Sequence, residues 1–257
     1  MCLIAFAWKM HPRYKLIAAA NRDEFYDRPS LQAHFWDSDP EILAGKDLQA
    51  GGTWMGATRS GKWAALTNYR DMWNIKIHAP SRGMLIVNYL RRAGSPEEYM
   101  NSVVHGSGAY NGFNLLCGNL DDLYYYSNVA NKPIRLEPGV YGLSNSLLDT
   151  PWPKTVAAKA FMEAELGHQE PDPDRLFAGL GHSEIYPDDQ LPDTGAGLKM
   201  ERALSSIFIR MKNYGSRSST VLMIDKDDCI SFFERQFTNG MRTGDDVSFR
   251  FQAQRRL

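Results

Sequence analysis

The chain has 257 residues, 43% hydrophobic and 23% charged, which is the balance of a soluble globular protein long enough to bury a sizeable core. A formal net charge of −1 excludes a basic field for nucleic acid, and no apolar run approaches the ~20 residues of a membrane-spanning helix. Cys2, Cys117 and Cys229 are too few and too dispersed for a disulfide framework, and no CxxC pair or HExxH spacing marks a metal, so reduced thiols, a cytoplasmic location and no cofactor are expected.

Two strand-like runs open the chain, residues 3–8 and 14–20, joined by KMHPR. With the turn centred near Pro12, the hairpin register places Phe6 opposite Ala18, Ile4 opposite Ala20 and Cys2 opposite Arg22, with Cα atoms about 4.5 to 5.5 Å apart. A guanidinium is thereby delivered to a thiol. A neighbouring cation lowers a thiol pKa from about 8.5, and the thiolate is the nucleophilic form. Removal of Met1 would also free the α-amine of Cys2, whose reference pKa of about 7.7 to 8.0 suits a general base. Taken alone, a cysteine here reads as a packed small residue, and Arg22-Asp23-Glu24 as a compensated strand end. The coincidence of Cys2 with Arg22 weakens that reading without reversing it.

Further along, a glycine-dense turn in LQAGGTWMG precedes a strand over residues 63–68 that ends in Leu66-Thr67-Asn68-Tyr69. Residues 81–93 form a helix with Leu85, Ile86, Tyr89 and Leu90 on one face. Ser95-Pro96-Glu97-Glu98 is an N-cap, N1 proline and acidic first turn for a second helix running to about residue 104. Strands follow over 113–118 and 123–127, with Cys117 read as a buried, inert thiol, and VYGLSNS ends at Ser144-Asn145. A third helix spans 153–166 and closes on Gly167 as a C-cap. PDPDR and YPDDQLPDTGAG read as surface excursions. A fourth helix covers 199–208, and strands return over 220–225, 229–233 and 247–251. Cys229, in DDCISFF, also reads as an inert strand thiol.

Strand clusters with helices between them indicate an α+β layered sandwich, and no repeat or linker divides the single domain, 1–257. Asn68 and Asn145, each able simply to close a turn, are candidates to direct amide donors into a shared cleft. Trp54 and Trp73 flank that cleft, while the six scattered histidines read as surface or turn residues.

CLIAFAW, AANRDEFYDRP, AGGTWMG, ALTNYR, YGLSNS and YGSRSSTVLMID, in order from Cys2 to about Asp225, together resemble the NRDE family, that of transport and Golgi organisation protein 2. The resemblance extends more distantly to the N-terminal nucleophile hydrolases of the choloylglycine hydrolase and penicillin V acylase branch. It implies a four-layer αββα sandwich of two antiparallel sheets. It also implies Cys2 as the nucleophile, Arg22 beside it, Asn68 at the oxyanion hole, Asn145 contacting the amine or substrate, and Arg217 near the nucleophile. Asn21, Trp54, Tyr69 and Trp73 are the candidate ligand contacts. The hydrolase branch has an aspartate three residues after the arginine, where this chain has Phe25, so Asp23 and Glu24 are the alternatives for orienting the amine. By strand parity Glu24 shares a face with Arg22 and Asp23 points the other way. Two functions are implied: a cysteine hydrolase of a linear, non-peptide amide with an apolar acyl group, or a non-catalytic carrier or chaperone of haem or an acyl lipid. The expected partner is in either case a small apolar or amphipathic molecule.

Overall fold

Residues 2–255, which the computed structural model describes, begin with the hairpin β1 (Cys2–Trp8) and β2 (Tyr14–Phe25). The apolar run of β1 is nearly unbroken because both its faces are covered. Ile4, Phe6 and Trp8 point into the layer between two sheets, and Leu3, Ala5 and Ala7 point at helices. Next come β3 (Ser30–Trp36), β4 (Asp39–Asp47), β5 (Met55–Thr58) and β6 (Trp63–Asn68), then α1 (Gly83–Arg91) and α2 (Pro96–Gly106). The strands β7 (Phe113–Gly118), β8 (Leu123–Ser127), β9 (Ile134–Arg135) and β10 (Gly139–Leu143) lead to α3 (Pro153–Leu166), α4 (Pro173–Leu180) and α5 (Leu198–Ala203). The chain closes with β11 (Tyr214–Asp225), β12 (Cys229–Thr238), β13 (Met241–Arg242) and β14 (Val247–Gln252).

All pairings among the described strands are antiparallel. One sheet runs β10-β1-β2-β11-β12-β13, with β14 also on β12, and the other runs β3 to β9 in sequence order. Between them lies a core that includes Phe6, Trp8, Trp63, Leu116 and Phe232. On the outer face of the second sheet, α1 and α2 bury Ile86, Tyr89 and Met100. On the outer face of the first, α3 and α4 bury Ala158, Met162 and Leu176. This is the αββα sandwich of two antiparallel sheets that the resemblance implies.

Several local expectations are corrected. PDPDR is not an excursion but the start of α4: Asp172 accepts from Asp174 N at 2.9 Å as an N-cap, and Pro173 occupies the first helical position. The helix expected over 199–208 stops at Ala203, because Ser205 Oγ and Ser206 Oγ donate to the carbonyls of Arg202 and Phe208. Gly167 is the C-cap of α3 as expected, its N–H donating to Ala164 O and Glu165 O, with a right-handed φ of −71°. Cys229 is half-buried, and His11 is buried against the His168 carbonyl rather than set on the surface.

Candidate active site at the head of the first strand

The hairpin register is the one expected from the turn: Cys2 pairs with Arg22, Ile4 with Ala20 and Phe6 with Ala18. On its other side β1 pairs with β10 from Ile4, opposite Leu143, to Trp8, opposite Gly139. Cys2 is half-buried in a crevice of about 10 Å³ shared with Arg22, Trp54, Met55, Leu66 and Thr220, room for no more than a water molecule. Arg22 is buried, its guanidinium 4.2 Å from the centre of the Trp54 ring. Trp54 fits there because Gly45 on β4 lacks a Cβ, which would collide with the ring.

One expectation about the thiol is reversed. Burial raises the Cys2 pKa above its ordinary value and outweighs the opposing Arg22 charge and a hydrogen bond from the Asp23 backbone. The resting group is therefore a thiol, not a thiolate.

Strand parity sorts the tetrad that follows. Arg22 faces the crevice between the sheets, whereas Asn21 and Asp23 face the helical layer. Asn21 is not free to hold a ligand: its Nδ2 donates to Leu180 O and Ile207 O, both at 2.9 Å, and its Oδ1 accepts from Ser219 Oγ at 2.6 Å. It ties the sheet to the layer above. Asp23 is 1% exposed and accepts from Ser216 Oγ at 2.6 Å. Burial raises its pKa, while Lys154 and the Ser216 hydrogen bond act the other way. Glu24 lies nearer the surface, 3.8 Å from Arg28 Nε.

The two asparagines form one unit. Asn145 is fully buried and its Nδ2 donates to Asn68 O at 2.9 Å, so it props the end of β6 rather than presenting its amide to an open cleft. Among the described residues, Asn145 Oδ1 is buried without a hydrogen-bond partner. Asn68 itself lines a cavity of about 380 Å³ together with Tyr69, Arg70, Arg82, Asn111 and Val129. Tyr69, Arg70 and Asp71 also border a second cavity of about 270 Å³, lined by Trp73 and Trp152. Trp54 and Trp73 thus border different spaces, not a single cleft. Arg217, on β11, is close enough to Arg22 for their charges to repel, but its Nη1 donates to Phe25 O and Arg28 O and so fastens the turn after β2.

Two charged residues at the site were not legible in the sequence. Arg82, just before α1, borders the 380 Å³ cavity and interacts electrostatically with Cys2, Glu24 and Arg28. Lys154, on α3, interacts in the same way with Asp23 and Cys2 while 2% exposed. Neither carries a motif signal, since each reaches the site by tertiary packing alone.

Comparison with known proteins agrees with the fold. The chain matches the family model for Transport and Golgi organisation 2 over residues 1–239. Two proteins named transport and Golgi organization protein 2 homolog, from Bos taurus and Homo sapiens, are each 39% identical across 91% of this chain and 92% of their own length. Among solved structures, the C2A mutant of conjugated bile acid hydrolase from Clostridium perfringens superposes with a TM-score of 0.55 at 9% identity, covering 99% of this chain and 98% of that one.

Proposed function

We propose that this chain, which belongs to the Transport and Golgi organisation 2 family, is an N-terminal-cysteine hydrolase that cleaves a linear, non-peptide amide bearing an apolar acyl group. The observation that carries this reading is the place of Cys2 at the head of β1. Arg22 stands opposite it in the ladder, with Asp23 next along β2. The bond to be removed is that to Met1, which lies outside the described residues. The structural neighbour, named as a conjugated bile acid hydrolase and altered at its own Cys2, is in keeping with chemistry at this position.

In this mechanism the thiol proton passes to the α-amine, and the sulfur attacks the amide carbon to form a C–S bond. Arg22 favours the negative sulfur, and the Asn68 side chain with backbone N–H groups receives the oxyanion. Collapse breaks the C–N bond, the ammonium proton leaves with the departing amine, and a thioester is left on Cys2. Water then attacks the thioester with the amine as base, releasing the acid and restoring the thiol. A thiol held protonated at rest suits this proton hand-over. Of the two carboxylates, Asp23 is assigned to the amine, because the hairpin register continued past Cys2 leads to it, whereas Glu24 is turned to Arg28.

A carrier of haem or an acyl lipid is the second reading, favoured by one observation: a cavity of about 380 Å³ opens beside Asn68, while the crevice at the thiol is nearly filled. Either reading takes residues 1–257 as one domain in the cytoplasm; among the described residues no helix is long and apolar enough to cross a membrane. One experiment separates them. A chain beginning at Cys2, incubated with an amide-directed electrophile and weighed by mass spectrometry, should carry one adduct on Cys2 that is lost in Cys2→Ala. No adduct, together with saturable haem or acyl-lipid binding undiminished in Cys2→Ala, would replace the enzyme with the carrier.

A further inference from the structure

The loop between β6 and α1 inverts the usual order of a protein surface. Met72, Trp73, Ile75 and Ile77 are all exposed, Trp73 by 66% and Ile77 by 88%, while the polar groups interleaved with them fasten the loop. Asp71 accepts from Trp73 N at 3.1 Å and from Asn74 Nδ2 at 2.7 Å. Lys76 N donates to Asn111 Oδ1 at 2.8 Å, and Asn111 Nδ2 donates back to Lys76 O at 3.0 Å. Lys76 Nζ donates to Gly108 O and Tyr110 O, and Met72 N to Thr194 O at 3.0 Å. Four apolar side chains held outward on a bonded loop form a contiguous exposed patch, the kind of surface that marks a contact with something else.

The patch adjoins the 380 Å³ cavity, which Met72 and Ile75 line together with the exposed Val129 from the turn between β8 and β9. Two bonds draw the neighbouring segments together: Arg82 Nη1 to Gly112 O at 2.8 Å and Asn128 Nδ2 to Asn111 O at 3.4 Å. Residues 72–82, 105–112 and 128–133, which meet there, contain Lys76, Arg82 and Lys132 and not one carboxylate, in a chain whose net charge is −1. The acidic side chains on the Trp73 side are bonded within their own loops, Asp71 as above and Asp193 to Gly195 N at 3.1 Å. We propose that this loop docks the protein on an anionic lipid surface: Trp73, Ile75 and Ile77 enter the bilayer interface, and Lys76, Arg82 and Lys132 face its headgroups. Tryptophan suits the headgroup level, and aliphatic side chains gain by leaving water beside it. The charge decides between a membrane and a second copy of the chain. A two-fold contact would set this cationic face against itself, whereas an anionic surface complements it. The bilayer would then meet the rim of the cavity and pass an apolar ligand into it without a step through water. Docking itself depends on neither reading of Cys2.

Sedimentation of the full chain with vesicles tests the idea. It should pellet with vesicles of phosphatidylcholine and phosphatidylserine in equal parts, more weakly with phosphatidylcholine alone, and less as salt is raised. Ile75→Ser and Ile77→Ser together should weaken binding by roughly tenfold or more. Lys132→Gln should weaken it roughly fivefold on the mixed vesicles and little on the neutral ones. Val156→Ser, at an equally exposed apolar position on α3, should leave it unchanged. Lipids brominated on their acyl chains should quench a part of the tryptophan fluorescence that is missing in Trp73→Phe. A chain that does not pellet with the mixed vesicles, or that binds them as well with both isoleucines replaced, overturns the proposal. Self-association lost in the isoleucine variants, in a chain that ignores vesicles, would likewise overturn it and give the patch to a second copy. No turnover enters the measurement, so its failure is distinct from a failure to find the adduct on Cys2.

Discussion

At Cys2 burial outweighs the opposing charges: enclosure lifts the thiol pKa, the Asp23 charge adds to that rise, and Arg22 draws it down. Removing the guanidinium should therefore lift it further. Arg22→Gln is expected to move the alkaline midpoint of Cys2 alkylation by iodoacetamide upward and to slow the reaction near neutrality by roughly tenfold for each pKa unit; an unchanged midpoint would mean that Arg22 acts on Trp54 and not on the thiol. The pairing behind this prediction was legible because an antiparallel hairpin fixes its register from the turn outward. The alternation of Asn21 and Asp23 against Arg22 and Glu24 was legible too, since side chains in a strand have period two. Which face meets helices and which meets the second sheet was not, and so Asn21 reads as a ligand contact in the sequence but as a tie to Leu180 and Ile207 in the fold. The partner of Asn145 was hidden for the same reason: its Nδ2 donates to the carbonyl of Asn68, 77 residues away.

The elements divide by whether their signals are local. Ser95 and Glu98 announce α2 from sequence alone, and the structure closes the full reciprocal cap: Glu98 N donates to Ser95 Oγ at 3.2 Å, and Ser95 N donates to Glu98 Oε2 at 2.9 Å. Ser95→Ala should lower unfolding stability by about 1 kcal/mol in urea titration, with the slope of the transition unchanged. A loss near zero would show that packing of Tyr99 and Met100 alone holds the helix. By contrast, β3, β4 and β5 escape a periodicity reading. The pairing of β3 with β4 slips between Leu31 and His34 and again between Phe35 and Trp36, which breaks the alternation, and β4 begins in Asp39-Pro40-Glu41, a turn signature. The start of α4 fails in the opposite sense, because Asp-Pro-Asp is turn chemistry and helix-start chemistry at once.

Across the whole molecule, one carboxylate joins the two sheets at the level of the site. Glu234 on β12 is fully buried; its Oε1 accepts from Ala33 N on β3 and from Gln236 Nε2, both at 2.8 Å, and its Oε2 accepts from Thr220 Oγ1 at 3.3 Å. Thr220 also lines the Cys2 crevice, so this bridge sits behind the nucleophile. Burial raises the pKa of Glu234 to about 7, against the pull of those hydrogen bonds and of Arg22. A carboxyl whose folded pKa exceeds its unfolded value of about 4.5 binds its proton more tightly in the folded state. Its contribution to stability is complete below the unfolded pKa and is lost as pH rises through about 7, a swing on the order of 3 kcal/mol. Glu234→Gln keeps an acceptor for Ala33 N and cannot ionise. It should therefore flatten the decline in melting temperature between mildly acid and neutral pH, and it should stand above the parent at the neutral end. If the two curves run parallel, Glu234 is ionised throughout and Arg22, rather than a shared proton, holds the sheets together behind Cys2.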